Sequence, residues 1–225
     1  MDPHRVSRVP RFALLLGATL LEIVLSPILL STQAGRLPSH LVTAGLLLAA
    51  LTAAGLSRRT LALFMVAGIG LMGSALSSST WLEALAAGFR ALFFGSVLAV
   101  LVRYALAKRD VTFDTIAAAS CAYLLIGLVW SDFYLLADMA FPGSFEIPAS
   151  LLVGGPGSRR TAFLYFSYET LTTVAYGDVH PTHPGAGGLA VSEAIVGQLY
   201  LAIMITRMVA LQLAARHGPQ GPAEP

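Results

Sequence analysis

Charge is scarce in this chain. Only 12% of its 225 residues are Asp, Glu, Lys or Arg, where a soluble domain carries roughly a quarter. The formal net charge is +2. The arginines sit scattered at segment ends and form no patch, which argues against a nucleic-acid partner. There is one cysteine, Cys121, so an intrachain disulfide and a cysteine-rich metal site are excluded. Within its apolar run it reads as a small core residue. The sequence also lacks a nucleophile–base pair, a metal-ligand spacing and a phosphate-binding loop. Nothing in it reads as an enzyme, and no cofactor is implied.

Apolar residues make up 56% of the chain, and the mean hydropathy is +0.74. Long stretches free of charge make lipid the solvent for most of it. A spanning helix needs about 20 mainly apolar residues. Six segments fit: Phe12 to Leu30, Leu37 to Leu56, Thr60 to Ser77, Trp81 to Tyr104, Val111 to about Leu136, and about Gly185 to Leu213. The first is interrupted by Glu22 and Pro27. Small-residue spacing in the third (Gly70 with Ser74, Gly73 with Ser77) reads as helix packing. Between the last two lies Thr161 to Leu171, apolar and aromatic but too short to span. The residues after it read as irregular backbone, which membranes tolerate only where protein or water surrounds it. A re-entrant loop is the economical reading. The stretch from Phe141 to Arg160, rich in Gly and Pro, reads as an exposed loop before it. His217 to Pro225 reads as a short disordered tail.

Basic residues set the orientation. Arg5, Arg8, Arg11, Arg58, Arg59, Arg103, Lys108, Arg109 and Arg216 fall on one side, and Arg36, Arg159 and Arg160 on the other. Six spans then leave both termini cytoplasmic, in an inner (plasma) membrane. A competing reading makes residues 1–34 a cleaved signal peptide, but their apolar stretch exceeds the 7–15 residues typical of such segments.

The informative stretch is YFSYETLTTVAYGD, residues 165–178. It resembles the pore signature of potassium channels, TVGYGD after an aromatic pore helix. The resemblance covers roughly Val111 to Leu213. It implies an all-α membrane protein of six transmembrane helices, the last two forming a pore domain with a re-entrant pore helix and selectivity filter. Residues 1–106 are then an N-terminal four-helix region, 107–216 the pore domain and 217–225 a cytoplasmic tail. Thr173, Val174, Ala175, Tyr176 and Gly177 take the filter positions, where rings of backbone carbonyls replace the hydration shell of a potassium ion. The C-terminal, partially negative end of the short helix would favour a cation. One copy cannot close a ring, so the resemblance implies a homotetramer, with membrane lipids as its other partners.

By the same resemblance Glu169 and Asp178 support the filter as a proton-sharing carboxyl pair, as in a proton-gated bacterial member of the family. The plain alternative is a solvated Asp178 and a Glu169 bonded to backbone. Gly197 falls at the family's gating hinge, although close helix packing also explains a glycine there. Gln198, Leu201 and Ile205 would line the water-filled cavity. Glu193, one turn before Gly197, is expected to face the pore helix, with no role assigned.

The chain departs from the family in two places. Ala175 replaces the first filter glycine, where successive inward carbonyls require positive φ. An L-residue there costs roughly 1–2 kcal/mol, so weaker conductance or selectivity is expected. The fourth helix has only Arg90 mid-helix and Arg103 at its end, not a voltage-sensing arginine ladder. Steep voltage dependence is therefore not expected, and Glu22 is a candidate partner for Arg90. His180 and His183 are candidate pH sensors in the outer turn. Two readings follow: a passive potassium-like cation channel with a variant TVAYGD filter, or a non-conducting pore-domain homologue acting as a regulatory or assembly subunit.

Overall fold

Among the described residues four long helices carry the architecture, and their ends follow from local chemistry. The structure is a computed structural model that describes residues 11–30, 41–46, 49, 79–152 and 157–216. Helix α1 spans Arg11–Leu30, α2 Thr80–Ala107 and α3 Phe113–Ala140. After a two-residue strand β1 (Phe145–Glu146) and a 3-10 turn (Ala149–Leu152) come the short α4 (Ser158–Leu171), β2 (His180–Pro181) and α5 (Pro184–Arg216). Thr112 caps α3 by accepting from the Thr115 amide at 3.3 Å, and Asp114 sits in its positive first turn. Pro184 opens α5, where its missing N–H costs nothing. The side chain of Arg207 on α5 donates to the carbonyls of Ala105, Leu106 and Lys108, closing the C-terminal end of α2.

Helices α1, α2, α3 and α5 are each long and apolar enough to cross a membrane. The protein is a mostly helical membrane protein. These four correspond to the expected first, fourth, fifth and sixth segments. Of the expected second, residues 41–46 and 49 are described and helical. The expected third segment and the tail from His217 lie outside the described residues.

Helices α2 and α3 pack along their length, and small residues of both are buried: Ala86, Ala87 and Ala91 of α2, and Ala117, Ala118 and Ala122 of α3. Small residues let two helix backbones approach closely, and dispersion then holds them in lipid. Leu15 of α1 completes the core with Phe93, Phe94, Val97 and Leu125. A second cluster sits at the other end of α3. There Tyr134 lies 4.9 Å edge-on from Phe166 and 5.5 Å from Phe145.

The loop from Phe141 is tied down more than the sequence suggested. Phe145 and Ser144 are buried. β1 pairs antiparallel with β2, with Glu146 opposite His180. The Ser144 carbonyl accepts from Thr182 N at 2.8 Å. Its aromatic anchor, not its Gly and Pro content, decides its course.

Charges inside the helical region are paired. Arg90 of α2 donates Nε (3.0 Å) and Nη2 (2.5 Å) to Asp132 of α3, both side chains 3% exposed. Arg160 of α4 reaches Glu22 of α1 at 3.1 Å, and Thr43 donates to the same oxygen at 2.8 Å. Arg159 pairs with Asp138 at 2.5 Å. The expected Glu22–Arg90 pair is therefore not formed. Each of these charges finds its partner on a different helix, α2 with α3, α4 with α1 and α4 with α3, a three-dimensional adjacency that helix count could not supply.

Removing one member of a buried pair strands the other charge in a medium that cannot solvate it, at a cost of about 3–5 kcal/mol. Arg90→Met and Asp132→Leu should each destabilise the protein in detergent thermal unfolding by that order. The double variant should recover most of the loss. Additive losses would show that the two side chains do not depend on each other.

Candidate functional site

Helix α4 ends at Leu171, which is fully buried. The chain then leaves the helix along a path set by α4 itself. Thr172 N and its hydroxyl both donate to Tyr168 O, at 2.9 and 2.6 Å. Thr173 N donates to Thr170 O at 3.1 Å. The Glu169 carbonyl takes two amides, Val174 N at 2.9 Å and Ala175 N at 3.3 Å. Amides of this segment thus point back at the helix end. Among the described residues, the carbonyls of 173–177 accept no hydrogen bond.

Backbone handedness alternates along the segment. Thr173, Ala175 and Gly177 have φ of 61°, 48° and 77°, whereas Val174 and Tyr176 are outside the positive region. Such alternation turns successive peptide planes so that their carbonyls lie on one side. Ala175 therefore adopts the left-handed conformation that its position in the signature demands, at the steric cost of its Cβ. Residues 172–178 are exposed in the single chain, with Val174 at 50% and Tyr176 at 72%.

Behind this segment Tyr176 stacks on Tyr165, ring centroids 6.4 Å apart. The Tyr165 hydroxyl donates to Asp178 Oδ2 at 3.2 Å, and Val179 N donates to Oδ1 at 2.9 Å. Glu169 is buried, and its Oε2 has no hydrogen-bond partner. Tyr165 touches the carboxylate of Asp178, and the two carboxyls are close enough to repel. Burial, and then the negative charge of Asp178, push the Glu169 carboxyl above its usual range. Sequence reasoning did not identify Tyr165 as the hydroxyl beside this pair, although Tyr165 opens the stretch 165–178 that carries the signature.

The remaining expected site residues lie on α5. Gly197 is buried, and a Cβ there would lie 2.6 Å from Leu171 Cδ1 and 3.4 Å from Leu171 O. It lets α5 press against the end of α4, the packing alternative for this glycine. Gln198 is exposed. Leu201 and Ile205 border a cleft of about 350 Å³ that they share with Leu16 and Leu20 of α1 and Tyr123 of α3. Elsewhere on α4, Gly127 of α3 makes room for the Tyr168 ring, which would meet a Cβ at 2.6 Å. The Tyr168 hydroxyl donates to Leu124 O at 2.7 Å, and Tyr123 donates to Leu171 O at 3.0 Å. His180 lies 3.4 Å from the Glu146 carboxylate, and His183 stacks on Phe141.

A carboxyl whose pKa is raised by folding binds its proton more tightly in the native state. Glu169 then stabilises the fold below the ordinary carboxyl value of 4.5, and that contribution fades as pH rises through the native value. Melting temperature should fall as pH rises across this window. Glu169→Gln should flatten the dependence, and Asp178→Asn should move it to lower pH. A wild-type melting curve flat across the window would contradict this.

Residues 147–212, which include α4, the segment after it and most of α5, match the family model described as "Ion channel". Among curated proteins, the "Two pore potassium channel c" of Oryza sativa subsp. japonica is 34% identical over 92 residues. That alignment covers 41% of this chain and 18% of the rice protein, so the chain spans well under half of that relative. No solved structure gives a significant match. A short helix, a segment of alternating handedness and a long apolar helix coincide with the matched stretch, and over it the chain is similar to ion channels, a potassium channel among them.

Proposed function

We propose that the chain is one subunit of a passive potassium-like cation channel with a variant TVAYGD filter. The observation that carries this reading is the alternation of φ at Thr173, Ala175 and Gly177, together with carbonyls left free of hydrogen bonds. Free carbonyls on one side of a strand are what a dehydrated cation needs. In this reading Thr173, Val174, Ala175, Tyr176 and Gly177 bind potassium, and Glu169 and Asp178 support them. α4 is the re-entrant pore helix, with its negative end toward the ion path. Gly197 is the hinge, and Gln198, Leu201 and Ile205 line the cavity.

A single filter strand cannot surround an ion. The reading therefore takes four copies around one axis, each with six spans and both termini on the cytoplasmic side of the plasma membrane. The exposed side chains of Val174 and Tyr176 agree with such an assembly, since neighbours would cover them. Residues 1–106 form the N-terminal helical region and 107–216 the pore domain. With Arg90 held by Asp132, no ladder of free arginines crosses α2, and steep voltage dependence is not expected.

Purified protein in liposomes should pass potassium and rubidium in preference to sodium, and external barium should block the flux. Ala175→Gly removes a left-handed strain of roughly 1–2 kcal/mol per subunit and should raise the potassium-to-sodium flux ratio. Absence of flux for every ion from a confirmed tetramer would overturn the channel reading in favour of a non-conducting subunit.

A further inference from the structure

Glu193 stands in the middle of α5 with none of its surface exposed. Tyr134 of α3 donates its hydroxyl to Oε2 at 2.5 Å. The Ser167 hydroxyl of α4 lies 2.5 Å from Oε1 and 2.7 Å from the Gly127 carbonyl of α3. All three side chains are fully buried. Each distance is that of an O–H···O hydrogen bond.

Three oxygen–oxygen contacts need three protons. Tyr134 supplies one and Ser167 supplies one, because a hydroxyl has a single hydrogen. The Gly127 carbonyl only accepts. An ionised Glu193 would also only accept, leaving Ser167 to serve two acceptors with one proton. A proton on Oε1 closes the chain: Glu193 donates to Ser167, Ser167 donates to Gly127, and Tyr134 donates to Oε2. The surroundings agree. The titratable groups that face Glu193 are Tyr134 and Tyr123 of α3 and Tyr168 of α4. No cation faces it among the described residues, so an ionised carboxylate there would stand uncompensated in a membrane interior.

We infer that Glu193 is a neutral, proton-bearing positioning residue that locks α4 to α3 and α5 through Ser167. Ser167 lies on α4 six residues before Thr173. One turn beyond Glu193, Gly197 packs beneath Leu171. Two successive turns of α5 therefore clamp the helix whose end sets the course of residues 173–177. The lock is a feature of the fold. Its effect on ion flux rests on the channel reading.

The test uses the full chain in lipid. Infrared spectra at neutral pH should contain a carboxylic-acid carbonyl stretch that Glu193→Gln removes, with no matching loss of carboxylate absorption. Loss of carboxylate absorption instead would overturn the inference. In Glu193→Gln the amide nitrogen donates to Ser167 and the amide oxygen accepts from Tyr134, so all three bonds survive. Amide hydrogen exchange over residues 164–177 should then match wild type, whereas Glu193→Ala should exchange about tenfold faster. Equal acceleration in both variants would overturn the inference as well. Neither readout needs conduction. A wild-type protein without flux but with the acid band would end the channel reading and leave the proton assignment standing.

Discussion

Helix α4 has 14 residues, about 21 Å at ordinary helical rise, and a bilayer core is about 30 Å thick. It is too short to cross, and in the re-entrant reading its end and the chain beyond it lie where lipid offers no hydrogen bonds. The rest of the structure answers that constraint. Ser167, Tyr168 and Leu171 O are each tied to α3, and Arg159 and Arg160 are tied to α3 and α1. The helix end spends its own carbonyls on the amides of residues 172–175. What remains without a protein partner is the row of carbonyls at 173–177.

That arrangement places two non-glycine residues, Thr173 and Ala175, in the left-handed region. Such strain persists only where the surroundings over-determine the backbone. Here the determinants are visible: two amides held on one carbonyl of Glu169, a tyrosine stack behind, and Asp178 fixed by Tyr165 and its neighbouring amide. The same packing leaves Glu169 with an unpartnered oxygen. A site held this firmly from one side makes the alanine tolerable without removing its steric cost.

Ionisable groups in the helical region follow one logic, with different solutions. Arginines are paired with carboxylates on facing helices. Glu193 instead meets two hydroxyls. The first solution joins elements by charge, and the second joins them by hydrogen bonds. Both tie α4 to neighbouring helices, to α1 and α3 by charge and to α3 and α5 by hydrogen bonds, which is why the short helix keeps one orientation.

The sequence alone determined the membrane class, the places of the described helices to within a few residues, and the signature at 173–178. Apolar runs, caps and a motif are local properties, and local physics sets them. It also posed the conformational question at Ala175, because a handedness requirement belongs to a position in a motif. The partners of Glu22, Arg90 and Glu193 were decided only by the tertiary structure, as was the burial of Phe145. So was the fit of Gly197 under Leu171. Those depend on which helix faces turn toward each other, and hydropathy in an almost uniformly apolar chain carries too little periodic contrast to say which face that is.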